Sequence, residues 1–560
     1  MSHAVLRRLL WLAVVGLIAL AWWGSLEAPF VYDDKVEVIG NRPIRMLERW
    51  REIGSYNLAR PLLMFSYAWN FDRFRFDPQG YHLTNLAIHA LAAGAALGMA
   101  EGVARVFRRD EPLWRGAAVV ALWAVHPMVT ESVTYTTGRS ETLCAVFCFA
   151  AGGAWARALL VERVGGRGWP WRFAGMLAFG GGALSKEVAV VVPGILVALE
   201  WFAAGAEGIP PRARFRRRGA LWFLPFVLAI GAATALRFHH TGTVLPVEVE
   251  RPLGVQLATS AEVWLRYVRL WLVPFGQTIF HGQDGVAPLS IRGAAVIIGW
   301  TTMVVVGIAV GRRRPVLGFS MLAAGLTLVP STSVPMLKEY MAEHRSYQAG
   351  LYLLLGLGLA LPLVRRRLVL GAWVGLACAA VLGSRARNAV WASEVALWAE
   401  AAERSPAAAE AWYGLGDARR FAKDFSGAVS AYQTALELEP RDLDAWNNLG
   451  IAYAEVGDVP RAKDAWRGAL EVRPSYCKAH NNLGSLAYRF KDWDEARTEL
   501  QSTLAYCPDS AVAHYLLGNI YYGPRRDADK ALFHYEAVVA LNPYFDHVDV
   551  VKERVLELTW

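Results

Sequence analysis

Cysteine is scarce, and none of the five in 560 residues stands at metal-ligand spacing, which argues against a zinc-type site. Cys144 and Cys148 lie one helical turn apart inside an apolar block, as core-packing residues do. Charge is also sparse, at 19% Asp, Glu, Lys and Arg against 55% hydrophobic residues. With a mean hydropathy of +0.26 the chain is too apolar for an ordinary soluble protein. Acidic residues are in deficit, giving a net charge of +9, but the excess Arg sits between hydrophobic blocks with no base-stacking pattern. That arrangement excludes nucleic acid as the partner and fits the loops of a membrane protein.

What is abundant is hydrophobic run. Eleven stretches from Leu6 to Gly383 approach the roughly 20 apolar residues needed to cross a bilayer. They are Leu6–Gly24, Leu83–Val106, Leu113–Val129, Thr142–Leu160, Trp171–Leu184, Val188–Ala204, Ala220–Phe238, Ala294–Val310, Val316–Pro330, Gly350–Val364 and Leu368–Gly383. A twelfth block, Val255–Pro274, is interrupted by Glu262, Arg266 and Arg269. Arginine placement decides how it lies. Arg7 and Arg8 put the N-terminus inside, and the clusters around Arg108, Arg163, Arg212 to Arg218, Arg312 and Arg365 fall on that side only if Val255–Pro274 does not cross. It is read as a helix on the outer surface. With eleven spans, everything after the last one lies outside: the periplasm of a bacterium, or the secretory lumen of a eukaryote.

The chain divides near residue 390. From Glu394 onward there are 26 acidic and 18 basic residues, a net of −8, which leaves +17 for the rest. This second part repeats every 34 residues. Ala411-Trp412, Ala445-Trp446, Ala479-His480 and Ala513-His514 open helices, and Leu415-Gly416, Leu449-Gly450, Leu483-Gly484 and Leu517-Gly518 follow at constant offset. Ala428, Ala462, Ala496 and Ala531 mark second helices, and Pro406, Pro440, Pro474, Pro508 and Pro543 close the units. The pattern predicts about four tetratricopeptide repeats in residues 391–560, an α-solenoid whose concave face suits a protein partner. Cys477 opens one helix of a unit and Cys507 ends the next, so antiparallel packing brings them together. In an oxidising compartment they are placed to form a disulfide; facing the cytoplasm they would stay thiols.

Ionisable residues of residues 1–390 gather on the outer side. Asp33-Asp34 begins the first outer loop (26–82), which also holds Arg60-Pro61-Leu62 and Tyr81-His82-Leu83-Thr84-Asn85. The later loops bring His126-Pro127 with Thr130-Glu131, Gly138-Arg139-Ser140-Glu141, Ser185-Lys186-Glu187, and Lys338 through Tyr347. An adjacent Asp pair suits proton abstraction from a hydroxyl, and cations at a membrane surface suit a departing phosphate diester. Taken singly, Asp33-Asp34 fits a helix cap, Arg139 and Arg345 fit interfacial anchors, and His126-Pro127 fits a helix end.

In this order, and ahead of a repeat tail, these motifs resemble the transmembrane and tetratricopeptide-repeat-containing O-mannosyltransferases and their bacterial relatives. The resemblance implies an all-α GT-C membrane fold and a sugar donor linked to polyprenyl phosphate. It also implies inverting transfer of a sugar, mannose, to Ser or Thr of exported proteins, without metal or other cofactor. Asp33 and Asp34 match the catalytic acidic pair. Arg139, Lys186 and Arg345, with Arg60, match positions suited to the donor phosphate, and His126 and Glu131 would shape the pocket. Two other readings stand beside it: transfer to a lipid or polysaccharide acceptor, and a non-enzymatic membrane scaffold.

Overall fold

A computed structural model describes residues 3–108, 113–210, 220–241, 251–282, 285–332, 337, 339–360, 366–542 and 545–559. Arg109, the run from Arg212 to Arg218, Lys338, Arg365 and Pro543 lie outside the described residues. All regular structure among the described residues is helical. The chain forms two compact units, Met1–Leu397 and Trp398–Trp560.

In the first unit each of the eleven apolar stretches falls largely on helix among the described residues. Among the described residues six helices are long and apolar enough to cross a membrane, seven if the bent pair Leu113–Ala124 and Pro127–Thr134 counts as one span. Leu221–Ala232 and Pro315–Pro330 are apolar but shorter. The amphipathic helix Leu253–Leu272 is not among the spanning helices. It buries Gln256, Thr259, Ser260, Val263, Tyr267, Leu270 and Trp271, one stripe at three- and four-residue spacing.

The central seam joins Pro78–Phe107 to Arg139–Arg163. Small residues make it possible. A Cβ on Gly102 would lie 2.8 Å from the Ala156 Cβ, and one on Gly152 would lie 2.9 Å from Met99 Sδ. Cys144 and Cys148 are buried, with their sulfurs 3.6 Å apart. Trp22, Trp123, Phe149, Trp155, Tyr347 and Tyr352 fill the remaining space. Their polar atoms are answered inside: Trp22 donates to the Ala124 carbonyl (3.0 Å) and Trp123 to that of Tyr347 (2.9 Å). The first outer loop builds a small core of its own from Phe30, Ile44, Ile53, Leu63, Met64 and Tyr67.

One expected span is interrupted. Leu113–Val129 is helical only to Ala124; the pair then bends by 58°. Pro127 has no N–H to continue the helix and holds the preceding residue extended (His126 φ −71°, ψ 136°). His126 Nδ1 then accepts the Met128 N–H (3.2 Å), capping the short turn that follows.

The second unit stacks four helix pairs: Ala409–Phe421 with Phe425–Leu438, Leu443–Val456 with Val459–Val472, Cys477–Arg489 with Trp493–Tyr506, and Ala511–Tyr522 with Ala528–Leu541. Each second helix is capped by an aspartate, Asp424, Asp458, Asp492 or Asp527, accepting the backbone N–H three residues on. At the Gly416, Gly450, Gly484 and Gly518 column a Cβ would meet Tyr432, Trp466, Leu500 or Tyr535 within 2.7 Å. Absence of a side chain there lets the large residue of the partner helix seat. Trp412, Trp446, His480 and His514 each approach the carbonyl of the proline six residues before, at 2.9–3.1 Å. The extra residue of the last interval falls in the turn after Tyr522, and Cys477 and Cys507 are joined by a disulfide with Cα atoms 6.1 Å apart.

Candidate active site

The acidic pair sits where the chain leaves its first helix, and its members face different surroundings. Asp33 is exposed; Asp34 is fully buried. Asp34 does not cap the short helix Lys35–Ile39 through its side chain. Instead its Oδ1 accepts both the backbone N–H (2.8 Å) and the hydroxyl (2.6 Å) of Thr137, and its Oδ2 accepts the Val31 N–H (3.3 Å). Burial pushes the Asp34 carboxyl up to about 7, against the pull of those donors. The Asp33 backbone N–H donates to the Tyr135 phenol oxygen (3.0 Å). Tyr32, in the left-handed region at φ +50°, donates its hydroxyl to Glu339 (3.0 Å). Lys35 reaches both carboxylate oxygens of Glu394 at 2.8 Å.

The segment from Glu131 to Arg139 is therefore the platform for the pair. It doubles back so tightly that a Cβ on Gly138 would lie 2.4 Å from the Glu131 carbonyl oxygen. Its outer end meets the loop before Tyr347. Glu131 Oε1 lies 2.6 Å from His344 Nδ1, and its Oε2 accepts the His344 N–H (3.1 Å). Burial lowers His344 to about 3, so its imidazole is neutral. Arg345 donates Nη1 to the Glu339 carbonyl (2.9 Å). Burial raises the Glu339 carboxyl, and the nearby Arg345 charge opposes it. The helix Leu253–Leu272 holds this loop: Tyr267 donates to the Ala342 carbonyl (2.6 Å), and Trp271 Nε1 to Ser346 Oγ (3.0 Å). Glu343 accepts the Thr278 N–H (2.7 Å) and stands 3.1 Å from His281 Nε2. His126 stacks on Trp271, with ring centroids 4.6 Å apart.

The cations singled out in the sequence occupy three kinds of place. Arg139 is fully buried and turned inward: it donates to Asn85 (2.6 Å), to both Ser66 oxygens (3.2 Å) and to the Tyr81 carbonyl (3.0 Å), between the Tyr67 and Tyr81 rings. Lys186, also buried, pairs with Glu141 (2.7 Å) and touches Ser140 (3.3 Å). Arg60 is partly exposed and grips Glu187 with two nitrogens (3.0 and 2.6 Å). Among the described residues Arg60 and Lys186 form ion pairs while Arg139 and Arg345 do not, and of those two only Arg345 is not fully buried. Tyr32, Tyr135, Thr137 and Glu339 complete the cluster. Glu339 lies in the Lys338–Tyr347 loop that the sequence singles out; Tyr32, Tyr135 and Thr137 carry no distinguishing pattern, and their adjacency to the acidic pair and to Gly138-Arg139 is the available signal.

Fold and site together define a class: an all-α membrane protein with several apolar helices, an acidic pair at a loop cluster, and a tetratricopeptide-repeat tail. Comparison with known proteins gives the class a family setting. A tetratricopeptide repeat model matches residues 447–511 and a TPR repeat model residues 422–457. The chain is 31% identical over 153 residues to protein O-mannosyl-transferase TMTC3 of Homo sapiens, covering 25% of this chain and 16% of that protein. It is 26% identical over 217 residues to protein O-mannosyl-transferase Tmtc3 of Drosophila melanogaster, covering 33% and 23%. In these alignments the chain spans less than a quarter of the length of either relative. A crystal structure of the MamA protein is 25% identical, covering 27% of this chain and 86% of that one, with a TM-score of 0.24. The tail is a tetratricopeptide-repeat array, and the chain is similar to proteins named as protein O-mannosyl-transferases.

Proposed function

We propose that the chain is a membrane glycosyltransferase of GT-C type that moves a sugar, mannose, from a polyprenyl-phosphate donor to Ser or Thr hydroxyls of exported proteins. The observation that carries this reading is the asymmetric acidic pair. Asp33 is open to an incoming hydroxyl, while Asp34 is locked behind it by Thr137 and Val31. Asp33 takes the acceptor proton as the hydroxyl oxygen attacks the anomeric carbon, and the bond from that carbon to the phosphate oxygen breaks. The lipid phosphate leaves with both bonding electrons, and Arg345, half-buried and in no ion pair among the described residues, faces its charge. Glu131 and His344 orient the sugar side of the pocket, with Lys186 and Arg60 fixing the neighbouring loops and Arg139 bracing the platform from inside. The reading invokes no metal.

The Cys477–Cys507 disulfide supports an oxidising compartment for the tail, the bacterial periplasm or the secretory lumen. On that side the repeats bind the acceptor protein. The test is transfer from polyprenyl-phosphate mannose to Ser/Thr peptides by the purified chain in lipid. The native chain transfers hexose and the Asp33→Asn variant falls by two or more orders of magnitude. Equal rates would remove Asp33 from the chemistry.

A further inference from the structure

We propose that Thr137 is the positioning residue of the acidic pair: it holds Asp34 through two donors on one oxygen and so sets the charge that lies behind Asp33. The inference rests on the glycosyltransferase reading for its consequence, but not for its geometry. Three features of the structure converge on it.

The first is the contact itself. Thr137 delivers its backbone N–H (2.8 Å) and its hydroxyl (2.6 Å) to the same Asp34 oxygen, across 103 residues of sequence. Both donors favour an ionised carboxylate at a position without solvent. The second is rigidity. Thr137 directly precedes Gly138, whose crowded Cα allows no side chain, and Arg139, whose guanidinium makes four hydrogen bonds to three residues. The donor therefore sits on a part of the chain with little room to move. The third is the neighbouring phenol. Tyr135, two residues earlier, accepts the Asp33 N–H, so one short segment grips both members of the pair.

The consequence is a matter of charge. Asp34 is faced by Asp33 on its own segment, Tyr135 and Thr137 on the platform, Tyr67 from the helix Pro61–Phe74, and Arg139 from the next helix. An ionised Asp34 raises the proton affinity of Asp33 beside it and makes it a stronger base. A protonated Asp34 withdraws that help. Removing the Thr137 hydroxyl leaves only the backbone donors to oppose burial, so Asp34 keeps its proton to higher pH. The acid limb of the rate profile then moves upward.

The experiment compares the native chain with Thr137→Val, which keeps the shape, and Thr137→Ser, which restores the hydroxyl. Protonation of Asp34 is followed directly by difference infrared spectroscopy of its carboxyl band, identified by its loss in Asp34→Asn; this readout needs no activity. Hexose transfer from polyprenyl-phosphate mannose to a Ser/Thr peptide is followed against pH in the same preparations. The expected result is a carboxyl titration moved to higher pH in Thr137→Val and returned in Thr137→Ser, with the rate profile moving in parallel. A band that titrates alike in all three proteins overturns the proposal. A band that shifts while the native chain transfers no hexose keeps the Thr137–Asp34 coupling and overturns the glycosyltransferase reading instead. Should Thr137→Val fail to fold, Thr137→Ala serves as the second hydroxyl-free variant.

Discussion

Gly138, Asp34 and Arg345 each carry a consequence at the scale of the single residue. A methyl group on Gly138 would press within 2.4 Å of a backbone oxygen, which no side-chain movement relieves. Gly138→Ala is expected to destabilise the first unit by about 1–3 kcal/mol, the range for forced overpacking, read as an earlier thermal transition in detergent. Asp34 binds its proton more tightly folded than unfolded, with a carboxyl pushed from 3.8 up to about 7. Its contribution to stability is therefore fully present below about pH 4 and is lost as pH rises through 7. Asp34→Asn removes that dependence, so the variant's transition temperature should fall less than that of the native chain between pH 4 and 7. Arg345→Ala should raise the donor KM at least tenfold, with Arg345→Lys recovering part of it; Arg139→Ala should instead lower the yield of folded protein, since it strips a buried hydrogen-bond hub. The acidic pair and the cations were legible in the sequence as residue types in the loops between apolar blocks. Which of them is open and which is enclosed was not, because burial of Asp34 and Arg139 depends on loops that meet only in the fold.

Repetition is what made the elements of the tail readable. The Gly column, the second-helix alanines and the prolines recur at 34 residues, and each recurrence corresponds to one packing contact. The turns were less legible. Lys423, Lys491 and Arg526 adopt the left-handed conformation that Gly457 adopts in the second repeat, and no residue type announces it. Ring N–H to Pro carbonyl bonds link each unit's first helix to the turn before it. Trp446→Phe keeps the ring and removes the donor, and is expected to cost about 1 kcal/mol, read as faster hydrogen exchange in Leu443–Val456. Reduction of Cys477–Cys507, which closes a loop with a sequence separation of 30, should loosen the third helix pair by about 3–4 kcal/mol in the chain-entropy account, with exchange rising there first. In the first unit, Pro127 converts an expected span into a bent pair, and that bend carries Glu131 to His344. The His-Pro dipeptide announces a helix end in the sequence; the direction the chain then takes is set by packing against Trp271 and the His344 loop.

For the whole molecule, hydropathy located the helices of the first unit. The eleven apolar stretches fall largely on helix among the described residues, and Trp169–Ala183, with 15 residues, is shorter than the roughly 20 that a bilayer core requires. The charge division, +17 before Glu394 and −8 from there on, separates a basic membrane unit from an acidic repeat unit. The measurement that bears most directly on the proposed activity is mass mapping of outer-compartment proteins from cells making the native chain or Asp33→Asn at equal level. The account predicts Ser- or Thr-linked hexose, a single added mass per site, present with the native chain and absent with the variant. An identical glycan profile from both cells would contradict it.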